Sequence, residues 1–365
     1  MTKTVKLMVA ALLASVAPAW AQEVPAGYPA AYADIIAGAK QEGKVSIYTT
    51  TNVGEMTDML NAFKAKYPGV EVEYLDTGSA QMYSRFIAET GSGSSSADIV
   101  WASSMDLILK LAEDGYGANY ESPEAANVPD WGKWGSPPNV YAITAEPLLV
   151  AYNKRLVPEG EIPQTREDII KLLEEKPDQY NGKITMQDTS VGFGYLLFSQ
   201  DMAKDPELTR RFVKTIAQSG GNFELSSGAT IERIVSGENT IAYNVIGSYL
   251  NQRQKDDPNI GSVFLRDYTT VISRLMMISK TATNPNAARL FLDFLLSKEG
   301  QGELCKRSMT SVRPDMASDP ACQINGSQGV PAEVFATLQK DALLATLDEA
   351  KRLELLDEWK VLTQR

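Results

Sequence analysis

The chain has 365 residues, 44% of them hydrophobic and 22% charged, which is enough material for two domains of ordinary size with buried cores. Its formal net charge of −11 argues against binding to nucleic acid or to anionic membrane surfaces, because both require a basic protein surface. The sequence contains no histidine, which excludes Ser-His-Asp and Cys-His catalysis.

The first 21 residues have the pattern of a secretory signal peptide. Lys3 and Lys6 precede an apolar run over 7–16, and Ala19 and Ala21 form an A-x-A cleavage site. The apolar run is too short to span a membrane. We therefore expect cleavage after Ala21 and export of a soluble protein to the periplasm.

The next part of the chain repeats a strand, a polar turn and a helix. Apolar and alternating patterns predict strands over 45–48, 70–75 and 99–102. Apolar residues at helical spacing predict helices over 55–67, from residue 80 onward, and over 105–113. Strands that alternate with helices indicate parallel β-α-β units and an α/β fold.

The stretch DTGS at 76–79 matches the signature of aspartic proteases. Those enzymes are all-β proteins in which two such aspartates share one proton. Here the stretch lies between a strand and a helix, and the second candidate, DTS at 188–190, lacks the glycine. We therefore interpret it as a turn that opens a helix, where free backbone N–H groups favour an anion. Plain N-capping by Asp76 or Ser79 is the alternative.

Four further polar turns follow predicted strands. They lie at 49–52, 103–104, 189–190 and 247–248, the last two after strands predicted over 184–186 and 241–245. In parallel sheets ligands bind at the carboxyl ends of strands, so these turns predict a shared binding site. The candidate ligand-binding residues are Thr50, Thr51, Asn52, Gly78, Ser79, Ser103, Ser104, Thr189, Ser190, Gly247, Ser248 and Tyr249.

Two extended stretches, over 140–152 and 268–279, are suited to crossing from one lobe to another. Arg274 lies inside the second stretch, where a charge is unusual, so it is a further candidate for bidentate contact with an anion. A salt bridge at the seam between the lobes is the alternative. The pattern predicts a helix over about 286–296 and a helical tail over 332–362.

Cys305 and Cys322 are the only cysteines. In an oxidising compartment an isolated pair usually forms one disulfide, and two separate buried thiols are the alternative. Without histidine in the chain, we do not expect these cysteines to hold a metal.

Six stretches carry a resemblance to a known family. They are ADIVWASSMDLILKLAEDGY, LLVAYNKRLV, NGKITMQDTSVGFGY, VSGENTIAYNVIGSY, NPNAARLFLDFLLSKEGQ and SVRPDM. Together they resemble the periplasmic solute-binding proteins of ABC importers, in the branch of the ferric-ion-binding and aminoethylphosphonate-binding proteins.

The resemblance implies a type 2 periplasmic binding fold, in which two α/β lobes joined by two crossover strands close over a ligand. Lobe one would comprise 22–142 and 272–318, lobe two 143–271, and 319–365 would form a C-terminal helical segment. It also implies a monomeric transport protein, not an enzyme and without a cofactor, whose partners are an inner-membrane ABC permease and its ATPase.

The ligand is suggested by where the sequence departs from the ferric-binding pattern. Those members commonly hold iron with two adjacent tyrosines, and Gly247 and Ser248 stand in their places. Asn52 and Ser103 replace a histidine and a glutamate found in some members, whereas 189–190 resembles the turn that holds the accompanying anion. Fe(III) needs anionic oxygen ligands. We therefore expect a small organic anion, preferably phosphorylated or a phosphonate. The alternatives are ferric iron with a synergistic anion and, in another class, a periplasmic enzyme on a similar scaffold.

Overall fold

The computed structural model describes residues 24–94, 96–190, 192–324, 334–338 and 340–365. The predicted signal peptide lies outside the described residues. Two mixed β-sheets, each covered by helices, make up this part of the chain. No helix within it is long and apolar enough to cross a membrane.

The first sheet has six strands in the order β2-β1-β3-β12-β5-β4. Its strands are β1 (Lys44–Thr49), β2 (Glu71–Asp76), β3 (Ile99–Ala102), β4 (Lys133–Gly135), β5 (Pro138–Ala142) and β12 (Leu275–Ile278). The helices packed around it are α1 (Tyr32–Glu42), α2 (Val53–Lys66), α3 (Ser79–Gly91), α4 (Met105–Glu113), α11 (Pro285–Leu296) and α12 (Lys298–Lys306). We call this unit lobe one.

The second sheet has seven strands in the order β13-β11-β6-β9-β7-β8, with β10 also paired to β6. Its strands are β6 (Glu146–Asn153), β7 (Ile184–Gln187), β8 (Asn222–Glu224), β9 (Ile241–Ile246), β10 (Ile260–Val263), β11 (Thr269–Ile272) and β13 (Phe335–Thr337). The helices of this unit, lobe two, are α5 (Arg166–Glu175), α6 (Pro177–Tyr180), α7 (Gly192–Lys204), α8 (Pro206–Gln218), α9 (Ser227–Ser236) and α10 (Gly247–Asp256). Two C-terminal helices follow, α13 (Lys340–Ala345) and α14 (Glu349–Thr363).

The local sequence explains the strand–turn–helix units of lobe one. All four residues of β3 are buried, as expected for a short apolar run that has strands on both sides. Parallel pairing of β1 with β2 and with β3 places their carboxyl ends at one edge of the sheet. Helix α2 begins at Val53, two residues before the predicted start, because the Asn52 side chain caps it by accepting a hydrogen bond from the Gly54 N–H at 2.8 Å.

Two crossover segments join the lobes. Residues 143–145 lead from β5 in the first sheet to β6 in the second, and residues 273–274 lead from β11 back to β12. Each long extended stretch in the sequence is thus divided into one strand of each sheet. The α/β fold with two lobes and two crossover strands is confirmed. The lobe limits stay predictions, although β11 extends through Ile272, one residue past the limit expected for lobe two.

The C-terminal segment differs in part from the predicted helical tail. Residues 335–337 form β13, which pairs in parallel with β11, because this short apolar stretch meets an open sheet edge that the sequence alone does not reveal. Leu343 packs in the core of lobe one, and Trp359 packs in that of lobe two. The disulfide is confirmed and joins α12 to the turn at Pro320–Cys322.

Candidate functional site

A cleft of about 1050 Å³ lies between the two lobes. Its walls are built from the residues that follow β1, β2 and β3 in lobe one and β7, β8 and β9 in lobe two. This volume lies at the upper end of the range typical of small-molecule clefts. Seven of the predicted ligand-binding residues line the cleft, namely Thr50, Asn52, Gly78, Ser79, Ser103, Ser190 and Tyr249.

Five helices have their N-terminal ends at the cleft: α2, α3, α7, α9 and α10. The positive end of each helix dipole therefore points toward the same space. Asn52 caps α2 and Ser226 caps α9 with side-chain oxygens. No side chain caps α3, and Gly78 and Ser79 at its start line the cleft, so backbone N–H groups at this end remain available to a ligand. No side chain caps α10 either, but its first residues, Gly247 and Ser248, are buried.

The lobe-one wall is held together by hydroxyl groups. The Oγ atoms of Ser79 and Ser104 lie 2.6 Å apart, which ties the start of α3 to the turn before α4. The N–H of Ser103 donates to Thr50 Oγ1 at 3.3 Å and ties the same turn to the end of β1. Ser104 is itself buried and does not line the cleft. It orients Ser79, which does.

On the lobe-two wall, the two predicted residues of the turn after β7 differ in their exposure to the cleft. Thr189 is buried, whereas Ser190 is exposed and lines the cleft, and its N–H donates to Asp188 Oδ1 at 2.7 Å. Sequence reasoning missed the neighbouring Ser226 and Ser227, which follow β8. That short strand was not predicted, but the stretch SSG before an apolar helical pattern carries the same signal as the other turns.

Arg274 does not line the cleft, so its predicted contact with the ligand needs correction. The guanidinium is 1% exposed and forms two hydrogen bonds with Glu146, which is also fully buried, at 2.8 Å from Nε to Oε1 and 3.3 Å from Nη2 to Oε2. Thr51 accepts from Arg274 Nη1 at 2.8 Å, and Ser248 and Thr144 donate to Glu146. Thr51 and Ser248 therefore serve this buried network, because a paired charge in a protein interior needs its remaining hydrogen bonds satisfied.

The network links both lobes through the crossover segments. Glu146 begins β6 directly after the first crossover, and Arg274 belongs to the second. Thr51 lies in lobe one beside the cleft residue Thr50, and Ser248 lies in lobe two beside Tyr249. Burial alone would raise the pKa of the Glu146 carboxyl, but the guanidinium and the hydrogen bonds hold it below its ordinary value.

The charged side chains that line the cleft were not predicted. They are Glu55, Glu232, Asp256 and Arg253. Arg253 pairs with Glu232 at 3.0 Å, and burial raises the pKa of Glu55 above its ordinary value. The sequence carries only weak evidence that these residues line a cleft, because charges on an amphipathic helix usually belong to a face exposed to solvent. Only the packing of α2, α9 and α10 beside the cleft distinguishes these positions.

Gly247 leaves no room for a larger side chain at the start of α10. A Cβ atom at this position would lie 2.9 Å from the carbonyl oxygen of Pro147, closer than real Cβ contacts allow. Ser248, the second position, is buried and bonded to Glu146. In the part of the chain that the structure describes, no group of three or more Asp, Glu, His or Cys side chains could hold a metal ion.

Comparison with known proteins gives a consistent picture. The structure is similar to the substrate-binding protein of an ABC transporter from Agrobacterium tumefaciens, with 28% identity, a TM-score of 0.80 and coverage of 90% of this chain and 96% of that one. Iron-bound HitA from Pseudomonas aeruginosa shares the fold at 21% identity and a TM-score of 0.70, covering 87% and 99% of the two chains. The periplasmic binding protein P5PA shares the fold at 18% identity and a TM-score of 0.68, with coverage of 88% of this chain and 99% of that one.

Curated protein sequences include none that matches this chain. The family model for bacterial extracellular solute-binding proteins matches residues 58–327, well over half of the chain. This match and the shared two-lobe architecture confirm the resemblance seen in the sequence at the level of the family, but they do not select its ferric or phosphonate branch. The chain therefore belongs to the family of bacterial extracellular solute-binding proteins.

Proposed function

We propose that this protein captures a small organic anion, with a phosphoryl or phosphonyl group as the preferred head, in the cleft between its lobes. It would present this ligand in the periplasm to an inner-membrane ABC permease and its ATPase. A transport protein rather than an enzyme is supported by the match to the solute-binding family and by the similar substrate-binding protein of an ABC transporter. The nature of the ligand is the new element of the proposal.

The start of α3 is the observation that carries the proposal. Gly78 and Ser79 line the cleft at a helix N-terminus without a side-chain cap, and Ser79 is oriented by Ser104 at 2.6 Å. Backbone N–H groups and a hydroxyl at such an end suit the oxygens of an anion. Thr50 and Ser103 on the same wall add hydroxyl groups, so a head group with several oxygens can use more than one donor.

The cleft carboxylates restrict where the anionic head can bind. Glu232 lies in the second turn of α9, and Asp256 lies at the C-terminal end of α10, so both are away from the positive helix ends. Glu55 belongs to the first turn of α2, whose terminus Asn52 already caps. These three positions favour an anion at the start of α3, which has neither a cap nor an acidic residue in its first turn.

Ferric iron is the alternative that similar structures raise, since iron-bound HitA shares the fold. Fe(III) prefers anionic oxygen ligands. Here Gly247 offers no side chain and the Ser248 hydroxyl donates to Glu146. The two positions compared with the iron-binding tyrosine pair therefore offer no anionic ligand to iron, which supports the anion as cargo.

Calorimetric titration of the mature protein with phosphonates, phosphate esters, carboxylates, polyamines and ferric citrate tests the proposal. We expect saturable binding of a phosphonate or phosphate ester and a loss of about tenfold in affinity for Ser79→Ala, since a hydrogen bond to a charged group contributes roughly 1.5–3 kcal/mol. Ser84→Ala is the matched control, because Ser84 lies exposed on the same helix outside the cleft. Binding only of cations or neutral molecules would overturn the anionic assignment and leave the family membership intact.

A further inference from the structure

We infer that the anionic ligand carries an apolar body about the size of a phenyl ring, bound against an apolar wall on the lobe-two side of the cleft. This inference rests on the proposed function and specifies its ligand. The apolar wall consists of Phe193, Leu225, Ile231, Ile246 and Tyr249, all of which line the cleft.

The residues of the apolar wall come from separate elements of lobe two. Phe193 lies at the start of α7, Leu225 follows β8, and Tyr249 lies in the first turn of α10. Ile231 on α9 and Ile246 at the end of β9 also line the cleft and are almost fully buried. These elements bring apolar side chains that are distant in sequence to the same side of the cleft.

Leu225 shows that this surface is open to a ligand. It is 65% exposed, and only four other large hydrophobic side chains among the described residues are strongly exposed. Phe193 and Tyr249 are partly exposed and pack at the edge of the buried core. Binding is favoured when a ligand displaces water from apolar surface on a cleft wall.

The opposite wall has a different character. The lobe-one residues that line the cleft include no large apolar side chain: apart from Gly78 and Ala80, they are polar or, in the case of Glu55, charged. A ligand that contacts both walls therefore needs an anionic head on the lobe-one side and an apolar body on the lobe-two side. An inorganic anion would leave the apolar wall in contact with water. The cleft volume of about 1050 Å³ has room for a larger molecule.

Two pairs of anions test the contributions of the anionic head and of the apolar body to binding separately. Methylphosphonate and phenylphosphonate share one head group, and acetate and benzoate share another. Titration of the mature protein by calorimetry measures the affinity for each. We expect the phenyl member of at least one pair to bind about tenfold more tightly than its methyl partner, because the ring buries apolar area against the wall. Phenol and benzylamine, which have the ring without an anionic head, should bind more weakly than either phenyl anion.

Leu225→Ser tests the wall itself, and the high exposure of Leu225 makes this change safe for folding. We expect the ratio of phenyl to methyl affinity to fall by roughly threefold or more. Leu353→Ser is the matched control, since Leu353 is similarly exposed at 56% but lies on α14 outside the cleft. Phe193→Ala, checked for folding by circular dichroism, should reduce the ratio further.

The outcomes distinguish this inference from the proposed function. Equal affinity of the methyl and phenyl members, or a phenyl preference that Leu225→Ser leaves unchanged, would overturn the apolar body while the anion proposal survives. Binding of phenol or benzylamine in preference to all four anions would support the apolar wall but overturn the anionic head. Failure of all four anions to bind at millimolar concentration would overturn both.

Discussion

Replacing Glu146 with glutamine should destabilise the protein more than any exposed charge replacement. The change keeps the shape of the side chain but leaves Arg274, which is 1% exposed and bonded to both carboxylate oxygens, without a counter-charge. Removing one partner of a buried ion pair costs about 3–5 kcal/mol, because the remaining charge stays buried and unpaired. For a chain of this length the midpoint of thermal unfolding should fall by roughly 5–10 °C.

Thermal and urea unfolding followed by circular dichroism measures the effect. Glu73→Gln is the control, since Glu73 pairs with Lys44 at 2.9 Å on the surface and should shift the midpoint little. The double variant Glu146→Leu with Arg274→Met should recover much of the loss, because apolar replacement of a buried pair is often tolerated. An unfolding midpoint for Glu146→Gln equal to that of Glu73→Gln would refute the role assigned to this network.

Four further outcomes are expected. Replacing Cys305 and Cys322 together by serine should lower the unfolding free energy by about 3 kcal/mol in denaturant titration, and an unchanged value would contradict a stabilising disulfide. Burial raises the pKa of Asp106 to about 6, so the folded state binds this proton more tightly than the unfolded state. The contribution of Asp106 to stability should therefore fall by about 2–3 kcal/mol as the pH rises from roughly 4 to 6, and Asp106→Asn should remove that part of the pH dependence. Gly247→Ala should cost about 1–3 kcal/mol of unfolding free energy, because its Cβ would meet the Pro147 carbonyl; a neutral effect would count against this close packing. Ferric citrate should produce no visible tyrosinate-to-iron absorption band, and its appearance would reverse the preference for an anion.

The sequence was most informative where a local pattern and the tertiary packing agree. The predicted bounds of β3 and α4 match the structure at every residue, since an apolar run followed by a helical pattern leaves few other choices. The candidate site was only partly predictable. Ser79 and Ser190 were found because they lie in turns after strong strands, whereas Ser226 and Arg253 lie near weak or solvated-looking patterns.

Arg274 shows the limit of sequence reasoning most clearly. An arginine inside an apolar strand indicates a buried charge, and the sequence determines this much by itself. Whether that charge meets a ligand or a carboxylate depends on which strand packs beside it, and Glu146 is 128 residues away in the chain. In the same way, the sequence alone determined the α/β units, the two crossovers and the hydroxyl-rich turns, because these follow from short-range patterns. Only the tertiary structure decided which hydroxyls face the cleft and which, like Thr51 and Ser248, are used inside, since that depends on contacts between residues distant in sequence.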